Sequence, residues 1–106
     1  MSVIKKPKTL FWTSHSHAKM RFYQLSESRV KRVIHSPSRI EEGIAPNTIA
    51  MMQKTGSKKH PYEIWTMVQD EDSRRKVISA WRYPGITKPG QPLPQQIISE
   101  IEEINL

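Results

Sequence analysis

Apolar positions along the chain follow two rhythms. Val30, Val33 and Ile34 recur at the i, i+3, i+4 spacing of one helix face. Ser26 has the chemistry of an N-cap, Leu25 before it can staple onto Val30, and Pro37 stops the helix near His35. Upstream, Thr9-Leu10-Phe11-Trp12-Thr13 is short, aromatic and β-prone, which predicts a first strand. Ser14 then caps a short helix running to about Tyr23. Beyond Pro37, the stretch from Arg39 to Ile44 reads as a short extended piece and Ala45-Pro46-Asn47 as a turn.

From Thr48 onward the period changes to two. Ile49 and Met51 fall on one face of a strand through Lys54, Ala50 and Met52 on the other, and two apolar faces suit an inner strand. Thr55 to Lys59 is a loop in which Gly56 is free to take a positive φ. Pro61 to Gln69 and Arg74 to Arg82 then form a hairpin across the acidic tip Asp70-Glu71-Asp72-Ser73. With Glu71 and Asp72 as a two-residue turn, Gln69 opposes Arg74, Trp65 opposes Ile78 and Pro61 opposes Arg82. Four prolines within residues 84–94 rule out helix there, and Ile97, Ile98, Ile101 and Ile104 then mark one face of a C-terminal helix over about 95–104. That stripe packs on the domain or docks a partner chain.

The pattern predicts an α+β fold. An antiparallel sheet of three to five strands carries the N-terminal helices on one face, and the C-terminal helix completes the domain. Residues 1–106 form one domain, with its core in about 9–86 and a proline-rich connection at 84–94.

Charge adds a direction to this picture. The net charge is +7 with a pI near 9.9, which favours polyanionic or acidic partners. Residues 1–89 hold 17 Lys/Arg against seven Asp/Glu, whereas the last 17 residues carry only Glu100, Glu102 and Glu103. The tail is thereby expected to face away from an anionic partner, or simply to be a solvated helix face. The absence of cysteine excludes disulfides, thiol catalysis and thiolate metal sites. His15 and His17 form His-x-His without a nearby acidic third ligand, so no metal and no other cofactor is expected. No apolar run is long enough to span a membrane and the N-terminus lacks a secretory apolar block, so a soluble cytoplasmic protein is expected.

In the expected register the open end of the hairpin gathers Lys58, Lys59, His60, Tyr62, Trp81, Arg82 and Tyr83, with Lys54 just before it. Fixed cations, an imidazole and phenols suit a phosphate or an RNA backbone. Duller readings stand beside this one. Arg82 could pair with Glu63 or the C-terminal acids, His60 could be a turn residue, Lys58 and Lys59 a solvated loop, and Trp81 core.

Two segments carry a family likeness. His15-Ser16-His17-Ala18-Lys19-Met20, followed by Leu25-Ser26 and a helix, and Arg75-Lys76-Val77-Ile78-Ser79-Ala80-Trp81-Arg82 resemble a bacterial domain-of-unknown-function family related to BrnT-type toxins. That family is in turn similar to the RelE/ParE superfamily. Family members usually carry Arg-Gly where this chain has Tyr23-Gln24. The resemblance implies a sheet with helices on one face, RNA or the ribosome as target, and a neutralising antitoxin as partner. It also implies that His15 reaches the functional face.

Metal-free RNA cleavage needs a base, a phosphate clamp and an acid. Arg82 is the expected clamp, His60 the acid or base with Lys58 and Lys59 favouring its neutral form, and Tyr83 a proton donor. Lys54, Lys58, Lys59, Tyr62 and His15 are the expected RNA contacts, Tyr62 by stacking. The leading expectation is therefore a toxin-type endoribonuclease or translation inhibitor. The alternative is a non-catalytic basic module that binds nucleic acid or an acidic protein.

Overall fold

The computed structural model describes residues 9–43 and 46–90. Its elements are β1 (Thr9–Trp12), α1 (Ser14–Tyr23), α2 (Glu27–His35), β2 (Arg39–Glu42), β3 (Thr48–Gly56), β4 (Pro61–Asp70) and β5 (Arg74–Pro84). The strands form one sheet in the order β1-β5-β4-β3-β2. Two helices and a five-stranded sheet make the fold α+β. The expected C-terminal helix at 95–104 and the connection beyond Gly90 lie outside the described residues, as do Ile44 and Ala45.

The sheet is mixed, which corrects the expectation of an antiparallel one: β1 runs parallel to β5. The hairpin leaves one edge of β5 open, and β1 takes it through Thr9 N–H to Ser73 O and Thr13 N–H to Val77 O. The Thr13 hydroxyl also donates to Val77 O and accepts from Ser16 N–H. Thr13, not Ser14, is therefore the N-cap, and α1 starts against the middle of β5. Ser26 caps α2 by accepting from Arg29 N–H, as its chemistry predicts.

Both helices lie on one face. Met20, Leu25, Val30 and Val33 bury themselves against Met51, Ile64, Val68, Val77 and Ala80. Each such side chain is worth about 1.5–3 kcal/mol relative to exposure. The opposite face has its own cluster of Ala50, Met52, Trp65, Met67 and Trp81. Trp65 and Trp81 pair across β4 and β5 with ring centroids 5.8 Å apart and nearly parallel planes. Trp81 is thus core.

The hairpin register differs from the expected one. Asp70 pairs with Arg75, Gln69 with Lys76, Trp65 with Trp81 and Ile64 with Arg82. Ion pairs explain the shifted tip: Arg75 grips both oxygens of Asp70 at 2.6 and 3.1 Å, and Arg74 reaches Glu71 at 2.7 Å. These contacts favour a turn centred on Asp72 and Ser73, closed by Glu71 N–H to Arg74 O, one residue later than the expected Glu71 and Asp72. A bulge then leaves Ile78 unpaired between Val77 and Ser79 and shifts the ladder by one more residue.

Past β5 the chain crosses the face opposite the helices. The Glu63 carboxylate is fully buried there and accepts from Trp65 Nε1, Thr87 N–H and the Thr87 hydroxyl at 3.0, 3.0 and 2.7 Å. Arg39 on β2 donates to Thr87 O and to the Thr87 hydroxyl, and Gly90 N–H reaches Glu41. Residues 85–90 are thereby pinned from β4 across to β2.

Candidate anion-binding site

The open end of the hairpin adjoins the turn between α1 and α2, and side chains from four elements meet there. Alternation along β3, β4 and β5 sends Gln53, Thr55, Tyr62 and Arg82 toward the helices. The Arg82 guanidinium lies 5.1 Å from the centre of the Tyr62 ring. Its Nε donates to Tyr23 O at 2.9 Å and its Nη2 weakly to Gln24 O at 3.5 Å, so Arg82 holds the last turn of α1.

The N-terminus of α2 supplies a second guanidinium. Gln53 donates through Nε2 to Arg32 O and Ser36 O at 2.9 and 2.8 Å, which aims its carbonyl oxygen at Arg29. Arg29 Nη1 donates to that oxygen at 2.6 Å. Ser26 fixes the backbone of Arg29, and Gln53 fixes its head.

These groups act on one another electrically. Burial, and then the like charges of Arg32 and Arg82, hold Arg29 below its ordinary pKa, with Tyr62 opposing them. The Tyr62 phenol is also held below its ordinary value, first by a hydrogen bond with Thr55, then by one with Arg82, with the charges of Arg82 and Arg29 adding to these. Among the described residues, no carboxylate acts on either of them. A guanidinium carries five N–H donors, more than the contacts just named engage. A cluster of cations that repel one another around a phenol is a ready site for an anion such as a phosphate oxygen.

The expected site residues divide among several places. Tyr62 and Arg82 come together, as expected. His60 does not join them, which corrects the central sequence expectation: Arg82 pairs with Ile64, four residues from His60 and about 13 Å along the strand. Lys58, Lys59 and His60 are exposed in the β3–β4 loop, where His60 N–H donates to the Ser57 hydroxyl. Gly56 takes φ +83° at the start of that loop, as expected.

Tyr83 points to the other face and packs against the Trp65–Trp81 cluster, so it does not share a site with Arg82. Lys54 follows the same alternation, opposite Glu63 on that second face. His15 sits at the start of α1, about 12 Å along the helix from Tyr23. The suggested pairing of Arg82 with Glu63 is likewise replaced, since Glu63 is sealed on the far face by Thr87 and Trp65. Arg29, Arg32 and Gln53 join the site without having been singled out. Their signal was weak, a helix-start arginine and a strand glutamine that meet only in three dimensions.

His17 instead links the two helices, 3.1 Å from Glu27 and stacked on Trp12. Among the described residues no group of three His, Cys, Asp or Glu side chains could hold a metal ion, and no helix is long and apolar enough to cross a membrane. No protein-family model, curated protein or solved structure matches this chain.

Proposed function

We propose that the protein is a basic module that binds the phosphate backbone of RNA, with Arg29, Arg82 and Tyr62 at the centre of the contact. The observation that carries this reading is the Arg82 guanidinium lying 5.1 Å from the centre of the Tyr62 ring, with Arg29 close enough to act on both and, among the described residues, no carboxylate acting on Arg29. The exposed Lys58 and Lys59 belong to the same end of the sheet and extend the positive track. RNA contacts of this kind position a backbone without reading sequence.

Salt dependence tests it. Each phosphate neutralised on a single strand contributes about 0.7 to the slope of log affinity against log salt. Arg29→Ala with Arg32→Ala is expected to lower the slope by about 1.4 and to weaken binding similarly for unrelated sequences. An unchanged slope removes the cluster from the interface.

One observation favours a second reading, that of a metal-independent endoribonuclease. A phenol held below its ordinary pKa offers more of its phenolate, the form that can accept a proton, so Tyr62 rather than His60 would take the 2′-hydroxyl proton beside Arg82. RNA cleavage by the native chain that is lost in Tyr62→Phe, with binding retained, decides for this reading. The likeness of His15–Met20 and Arg75–Arg82 to BrnT-type toxins supports an antitoxin partner. A small DNA-binding protein encoded beside this chain, and copurifying with it, would bear that out.

A further inference from the structure

We propose that Phe22 is a stacking platform for an unpaired base of the RNA strand whose phosphates Arg82 and Arg29 contact, and that it gives the protein a preference for single-stranded over duplex RNA. This preference rests on the proposed backbone contact and adds a contact with the bases to it. Phe22 is 71% exposed, more than any other large apolar side chain among the described residues. A lone exposed aromatic is common on protein surfaces, and what sets this one apart is its neighbours.

The ring stands on the last turn of α1 and is held there. Tyr23 meets it edge to face with 4.8 Å between ring centroids, and Tyr23 itself packs against both core clusters. Lys19, one turn earlier on the helix, places its Nζ 5.3 Å from the centre of the Phe22 ring and 5.2 Å from that of Tyr23. The helix end is closed by Gln24 N–H to Arg21 O and Leu25 N–H to Met20 O. An aromatic fixed by its neighbours loses little freedom when a base stacks on it.

The phosphate contact lies one residue away. Arg82 donates to Tyr23 O at 2.9 Å, and the Cα atoms of residues 22 and 23 are about 3.8 Å apart. A strand held by Arg82 thus brings the base of a neighbouring nucleotide within reach of the Phe22 ring. Lys19 and the exposed Arg21 add positive charge where the phosphates flanking that base pass. In duplex RNA the bases are paired and stacked on one another, so an aromatic side chain reaches a base face only in a single strand. Phe11 offers a comparison. It is 45% exposed, but the Arg74 guanidinium over its ring is bound to Glu71 at the acidic tip, away from any phosphate clamp.

Filter binding of the full chain to a single-stranded RNA oligonucleotide and to an RNA duplex of equal length, each across a salt series, tests it. Phe22→Ala is expected to weaken single-strand binding about tenfold, the worth of one stacked base, at an unchanged salt slope. Duplex binding stays as in the native chain, so the preference falls by the same factor, and the unchanged duplex affinity reports an intact fold. Phe22→Trp recovers the single-strand loss, Phe22→Leu does not, and Phe11→Ala loses nothing. Single-strand affinity untouched by Phe22→Ala, as for a ring that docks another protein, overturns the proposal. So does an equal loss on both RNAs, or Phe22→Leu binding as well as Phe22→Trp. In each of those cases a salt slope lowered by Arg29→Ala with Arg32→Ala leaves the backbone contact standing, whereas a native chain that binds neither RNA removes both.

Discussion

Tyr62 shows how a single residue takes its character from partners far away in the chain. Thr55 sits across the β3–β4 ladder, Arg82 on β5 and Arg29 on α2, and all three act to favour the phenolate. Tyr62 is therefore expected to ionise below the ordinary tyrosine range in a titration followed by phenolate absorbance. Arg29→Ala moves that step upward and Tyr62→Phe removes it. Since the folded pKa lies below the unfolded value of about 10, the matching stabilisation is complete above that pH. It is lost as pH falls through the folded pKa, so urea midpoints of Tyr62→Phe and native protein differ more in alkali than at neutrality. Arg82 was legible as a functional candidate because a strand-end arginine beside aromatics stands out. Arg29 was not, because its placement depends on Gln53, 24 positions away, being locked by carbonyls of α2.

At the level of elements, the turn between the helices carries a strain that the sequence only half announces. Gln24 occupies the left-handed region at φ 57°, with its N–H turned back to Arg21 O, a position that favours glycine. Gln24→Gly is expected to raise stability by about 1 kcal/mol, seen as a higher urea midpoint at unchanged slope. The bend after β5 makes the opposite case. Glu63→Ala leaves the Trp65 indole N–H and both Thr87 donors unpaired in the interior. A loss of about 3 kcal/mol is expected, with Glu63→Gln falling between. Elements with local signals were readable: Ser26 and its Val30, Val33 stripe for α2, the double apolar face of β3, and the hairpin itself. The parallel seating of β1, the bulge at Ile78 and the shift of the tip to Asp72 and Ser73 were not, because each is decided by a partner strand or by an ion pair across it.

For the whole molecule, the charges matter through where they are left unbalanced. Asp70 and Glu71 at the tip are neutralised by Arg75 and Arg74. The other end of the hairpin carries Arg29, Arg32 and Arg82, with the exposed Lys58 and Lys59 in the adjoining loop, and it is the end proposed to meet RNA. Composition alone carries the excess of positive charge, and only the folded chain shows at which end Arg29, Arg32 and Arg82 lie. Strand β4 has 10 residues, which puts the two ends about 30 Å apart, several times the Debye length of about 8 Å at physiological salt. Under those conditions RNA bound at the basic end, as proposed, would not sense the tip. Asp72→Asn is accordingly expected to leave the RNA dissociation constant within about twofold at 0.15 M salt. At about 0.01 M, where the Debye length reaches about 30 Å, the same substitution tightens binding, because a repulsion that was screened now reaches the ligand. Lys58→Ala with Lys59→Ala behaves differently, weakening binding at both salts and lowering the slope by about 1.4. Filter binding of a single-stranded oligonucleotide across a salt series measures both variants. A response to Asp72→Asn at 0.15 M as large as that to the lysines would place the RNA along the tip and dissolve the assignment of the basic end.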